Sequence, residues 1–171
     1  MKTLSIISVL ALLTGCVTVR SNKLADAVPP FKRILVVSKL DNVPPNYAER
    51  YIGAFPASYE VCALTVNRLT FGNPDSLIRQ KVRACNSEVI LSLELSRTDT
   101  QGSGRYTRTT EQIYAEMRTA ADNKPFWKAL VVNPYVQAGV NQDFVDPRTI
   151  TSRLQQDGII DRSATAGVAT Q

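Results

Sequence analysis

Between residues 34 and 95 the chain alternates short runs of branched apolar residues with segments of helical periodicity, and that alternation constrains the fold more than any other feature. Ile34-Leu35-Val36-Val37 reads as a short buried strand. Pro44-Pro45 then opens a segment in which Tyr47, Ala48, Tyr51, Ile52 and Phe55 recur at spacings of three and four, which predicts a helix ended by Pro56. Tyr59 to Val66 predicts the second strand. Asn73-Pro74-Asp75 combines a capping side chain, a proline in the first turn and an acid near the positive end of the dipole. A helix is therefore expected from there to about Cys85, with Leu77, Ile78, Val82 and Ala84 inward. Val89, Leu91, Leu93 and Leu95 alternate with Ile90, Ser92 and Glu94, which predicts a third strand. An order of this kind favours right-handed parallel crossovers.

From Thr107 onward the period changes to that of a β-hairpin. Ile113, Ala115 and Met117 form one strand face, Ala121-Asp122-Asn123-Lys124 a turn, and Trp127, Ala129 and Val131 a second strand face. Trp127 shares the parity of Ala129 and Val131, so it is expected in the core. Asp146-Pro147 starts a last helix with Ile150 and Leu154 four apart, and Gly158 marks its stop. The expected fold class is α/β: a mixed sheet of about five strands, β-α-β-α-β followed by a hairpin and a C-terminal helix, with the helices mainly on one face. Glu94, Ser92 and Thr65 are then expected on a semi-polar open face able to receive a partner or a second subunit.

Several function classes are excluded by what the chain lacks. It contains no histidine, so Ser-His-Asp and Cys-His arrangements cannot be built, and imidazole zinc sites are ruled out. With three cysteines in all, an all-thiolate structural metal site is also out of reach. No cofactor and no metal ligand set is expected. The formal charge of +5 is mild, and its bases are scattered without a block of like charge, which argues against nucleic acid.

The first fifteen residues have a basic start at Lys2, an apolar stretch from Leu4 to Leu13, and small residues before Cys16. That stretch is about half of the ~20 residues a bilayer span requires. Leu13-Thr14-Gly15-Cys16 resembles the lipobox of bacterial lipoprotein precursors. The resemblance implies cleavage before Cys16, a diacylglycerol on its sulfur, and a further acyl chain such as palmitate on the new amine. Two or more chains anchor stably, at ~0.8 kcal/mol per buried methylene. In Gram-negative sorting, Val17 at the position after the lipidated cysteine resembles outer-membrane cargo, with the domain on the periplasmic face. The alternative is an ordinary secretory signal that leaves Cys16 an incidental thiol. The domains expected are thus a signal peptide over 1–15, an anchor and extended tether over 16–30, a single α/β domain over 31–161, and a flexible tail over 162–171.

A periplasmic address permits a disulfide. Cys62 lies at the start of the second predicted strand and Cys85 at the end of the helix returning antiparallel to it, so both fall at one end of the sheet. A bridge is expected; two buried thiols acting as small hydrophobes are the alternative. Residues 97–109 form the longest polar stretch between strands. There Arg97, Arg105, Tyr106 and Arg108 make a candidate surface for carboxylates, phosphates or sugar rings, against the plainer reading of a solvated connector.

The mature part resembles the small α/β domains of outer-membrane lipoproteins, including those of curli-secretion lipoproteins and the N-terminal module of the Tol translocation protein. That resemblance rests on element order, on Pro125-Phe126-Trp127-Lys128-Ala129 and on Leu154 to Ile160, and it carries no site residues across. The expected function is a non-catalytic, lipid-anchored envelope binding or assembly module, held to the membrane through Cys16 and contacting an envelope protein or polymer, with a homo-oligomer left open. Two alternatives stand beside it: an envelope hydrolase using Asp99 or Glu94, and a purely structural lipoprotein.

Overall fold

The computed structural model describes residues 17–24, 28–41, 43–102, 107–137 and 145–161. Among these residues six strands form one mixed sheet: β1 (Thr18–Lys23), β2 (Arg33–Ser38), β3 (Glu60–Thr65), β4 (Val89–Gln101), β5 (Thr107–Thr119) and β6 (Pro125–Gln137). Among the described residues two helices accompany them, α1 (Pro74–Ala84) and α2 (Pro147–Gln156). The spatial order is β1-β6-β5-β4-β2-β3. β2 runs parallel to both β3 and β4, and the other pairs are antiparallel.

The helices do not share one face, contrary to expectation. From β2 the chain moves outward to β3, and from β3 it crosses back over β2 to β4. Two crossovers of the same hand that run in opposite directions must lie on opposite faces of a sheet. The segment after β2 therefore packs with α2 over Ile34, Val36, Leu91, Leu93, Met117 and Trp127. On the other face α1 covers Leu35, Val37 and Ile90 through Ile78 and Val82.

The predicted first helix is a series of turns. Tyr47, Arg50, Tyr51, Ile52 and Ala54 donate their backbone N–H three residues back, and only Glu49–Tyr51 forms a 3-10 turn. Aromatic residues and Gly53 favour a helix weakly, and tighter turns still bring Tyr47, Ala48, Tyr51 and Phe55 inward while leaving Ile52 exposed. α1 begins as expected, with Asn73 Oδ1 accepting from Ser76 N–H at 3.1 Å and Pro74 in the first turn, although Ala84 is exposed rather than inward. α2 follows the same plan, with Asp146 as its cap. It ends where Gly158 adopts φ +67° and Ile159 N–H reaches Leu154 O at 2.9 Å.

Two further expectations are corrected at the sheet margins. The extended tether over 16–30 is a strand where it begins the described structure: β1 pairs with β6 from Thr18↔Val132 to Lys23↔Trp127. Only Val19 and Ser21 turn partly inward, and an edge strand needs no more apolar content than that once its neighbour supplies the backbone partners. The polar stretch 97–109 is mostly strand as well. β4 and β5 stay paired from Arg97↔Gln112 to Gln101↔Arg108, with a bulge between Leu95 and Arg97. Its threonines suit a pleated, solvated ladder.

Candidate functional site

In open sheets with parallel strands, ligands bind outside the carboxyl ends where neighbouring connections leave toward opposite faces. Here that point lies between β2 and β3. A cleft of about 420 Å³ occupies it. Leu40 and Asp41 come from the turn after β2, Asn67, Arg68 and Leu69 from the turn after β3, and Leu95 from β4. Tyr47, Ile113 and Val145 are buried beneath it, and Glu111 of β5 stands in its lining.

The loop after β3 is held by its own hydrogen bonds. Asn67 Oδ1 accepts from Leu69 N–H at 3.0 Å and from the Thr70 hydroxyl at 3.2 Å, while Thr70 Oγ1 accepts from Asn67 N–H at 2.9 Å. Asp41 reaches across the mouth and takes Arg68 N–H at 3.1 Å and its Nε at 2.9 Å. Gly72, at φ +96°, then reverses the chain into α1. This ordered loop holds Leu69 85% exposed and Phe71 96% exposed. Two large apolar side chains are thereby displayed on a braced loop beside the cleft.

The Tyr47 hydroxyl donates to Val145 O at 2.8 Å and lies 3.4 Å from the Tyr51 hydroxyl. Burial raises the pKa of both phenols, so at neutral pH the floor carries neutral hydroxyls and no phenolate base. Among the described residues no group of three or more Cys, Asp or Glu side chains is placed to hold a metal ion. No helix among them is long and apolar enough to cross a membrane.

Of the residues singled out from sequence, Cys62 and Cys85 are joined in a disulfide with Cα atoms 6.4 Å apart, tying β3 to the residue that ends α1. Trp127 is fully buried in the core. Arg97 is exposed and pairs with Asp99 at 2.7 Å. Arg108 faces Gln101 and Val136 in the ladder, its side chain outside the described part. Cys16, Arg105 and Tyr106 lie outside the described residues. Glu94 is paired with Lys39 at 2.5 Å. The open face expected for Glu94, Ser92 and Thr65 splits: Thr65 pairs with Ser38, on the face of Val36, whereas Ser92 pairs with Val37, on the face of α1. Sequence reasoning passed over the switch-point loop, although Asn67-Arg68-Leu69-Thr70-Phe71-Gly72 carries a signal: a self-bonding Asn–Thr turn that leaves Leu and Phe nowhere to bury.

No protein-family model and no curated protein matches the chain. Among solved structures it is similar to PelC in a dodecamer from Paraburkholderia phytofirmans, at 16% identity and TM-score 0.49 over 81% of this chain and 96% of that one. It is also similar to lipoprotein GNA1162 from Neisseria meningitidis, at 14% identity and TM-score 0.45 over 74% and 97%. A third similar structure is protein XCC0632 from Xanthomonas campestris, at 14% identity and TM-score 0.37 over 84% and 97%.

Proposed function

We propose that this chain is a non-catalytic, lipid-anchored module of the bacterial envelope that faces the periplasm from the outer membrane and holds a protein partner at the cleft between β2 and β3. The observation that carries the reading is the braced loop that keeps Leu69 and Phe71 in solvent beside the cleft. Exposing two large apolar side chains forgoes about 1.5–3 kcal/mol each relative to burial, and a partner recovers it. The Cys62–Cys85 bridge supports the compartment, because disulfides persist where the milieu is oxidising. Since β1 starts two residues after Cys16, acyl chains on Cys16 would hold the sheet edge directly against the bilayer.

The test is site-specific photocrosslinking in cells, with the reactive residue at Leu69 or Phe71 and a control at Asp122 in the turn between β5 and β6. A discrete adduct at both loop positions and none at the control is expected. Equal labelling at all three positions, or none at the loop, overturns the binding surface. Cys16→Ser is expected to release the protein from the membrane fraction; retention there would overturn the anchor.

A further inference from the structure

A second cleft runs along the flank of α1 on the side of β4 and β5, with a volume of about 620 Å³. Its cations come from three elements: Lys39 after β2, Arg79 and Arg83 on α1, and Arg118 on β5, against a single acid, Asp75, at one end. Lys39 is already committed to Glu94 at 2.5 Å. Of the other three, only Arg118 has an acid within 4 Å, Glu116, which it shares with Lys128. Among the described residues Arg79 and Arg83 form no ion pair. Glu116 sits 3.0 Å from Lys128 but only 3.9 Å from Arg118, and the Arg118 Nε is buried with no hydrogen-bond partner. A dry guanidinium N–H without an acceptor is a group still seeking one.

Arg79 and Arg83 stand one helical turn apart, about 6 Å along the axis, and the cleft follows α1 for about 12 Å from Asp75 to Arg83. Between the cations its floor is apolar: Ile78, Val82, Ile90 and Ala120. Guanidinium groups from α1 and β5 around an apolar floor suit a chain that carries several anionic groups and an apolar face. Guanidinium forks bind carboxylates bidentately, and the C–H faces of sugar rings lie against aliphatic side chains. We infer that the α1 groove is a binding site for an acidic polysaccharide, with Arg79, Arg83 and Arg118 taking successive carboxylates of the chain. The site is separate from the cleft between β2 and β3, and it depends neither on that cleft nor on the lipid anchor.

The full chain, purified in nonionic detergent, is titrated with trigalacturonate, with neutral maltotriose, and with phosphatidylglycerol vesicles. Saturable binding of trigalacturonate but not maltotriose is expected. It should weaken at least tenfold in Arg79→Glu/Arg83→Glu and change by less than twofold in Arg50→Glu/Arg148→Glu, which alters net charge equally on the other face of the sheet. Arg79→Gln/Arg83→Gln, which adds no acid to α1, should weaken it by an intermediate factor. Equal losses in the two charge-reversal pairs, equal binding of maltotriose, or no binding of trigalacturonate overturns the site. Vesicle binding that needs Arg79 and Arg83 in a protein that ignores trigalacturonate assigns the groove to lipid headgroups and overturns the polysaccharide.

Discussion

Asp157 joins three parts of the molecule through one carboxylate. Its Oδ2 accepts from the Ser21 hydroxyl of β1 at 2.5 Å and from the buried Trp127 Nε1 of β6 at 2.7 Å, and Arg153 of α2 lies 3.2 Å away. Burial works against the charge, but the hydrogen bonds from Ser21 and Trp127 and the nearby Arg153 outweigh it and lower the pKa below the ordinary carboxyl value. Because the folded value is lowered, the stabilisation is complete above the unfolded pKa of about 4 and is lost as pH falls through the folded value. Asp157→Ala leaves the Trp127 N–H buried without an acceptor and is expected to cost about 2–3 kcal/mol in urea denaturation at pH 7. The gap between the two proteins should narrow steadily below pH 4. A gap that stays constant to pH 2 would show that charge contributes nothing to the contact. Ser21→Ala, which removes one of the donors and strands no buried group, is expected to cost about 1 kcal/mol by the same measurement.

Among the elements, α1 depends most on a single covalent tie. It covers Leu35, Val37 and Ile90 with only Ile78 fully inward, and the Cys62–Cys85 bridge fastens its end to β3. Closing a loop of about 24 residues stabilises by about 3 kcal/mol in the chain-entropy view. Cys62→Ser/Cys85→Ser should therefore lower stability by that amount, with the loss read in urea. Amide exchange should rise first in α1, while β4 to β6 stay protected; uniform loss of protection would contradict this local role. The start of α1 was legible because Asn73 and Pro74 act locally, and β4 because Val89, Leu91, Leu93 and Leu95 recur at every second position. β1 was not, because its place is set by backbone pairing to β6 and by Ser21 meeting Asp157, neither of which leaves an apolar period. The outer half of the β4–β5 ladder was hidden for the same reason, since a strand solvated on both faces has a polar sequence. Tyr47 to Phe55 misled in the opposite sense: spacings of three and four describe a 3-10 turn with flanking turns as well as an α-helix, and the burial was right while the hydrogen bonding was not.

At the scale of the whole molecule, the sheet carries two apolar faces because its crossovers reverse direction, and that reversal also opens the cleft between β2 and β3. The candidate site was therefore illegible in local patterns. It follows from strand order, which depends on where β4 pairs, and a run such as Asn67 to Gly72 acquires meaning only once β2 is known to lie between β3 and β4. Folding and function should consequently separate at this loop. Leu69 and Phe71 contribute almost nothing to the core, being 85% and 96% exposed, so Leu69→Asp/Phe71→Ser is expected to change stability by less than about 0.5 kcal/mol per site. Ile113, by contrast, is 4% exposed on the cleft floor, and Ile113→Ala should cost about 2–5 kcal/mol. Photocrosslinking from a probe at Val43, on the same cleft, should disappear in the loop variant despite an unchanged denaturation midpoint. Retained crosslinking in a fully folded Leu69→Asp/Phe71→Ser protein would show that the loop is incidental to binding. Loss of crosslinking together with a lowered midpoint would mean that the loop supports the fold, and the separation of folding from function would fail at the one place where the topology predicts it.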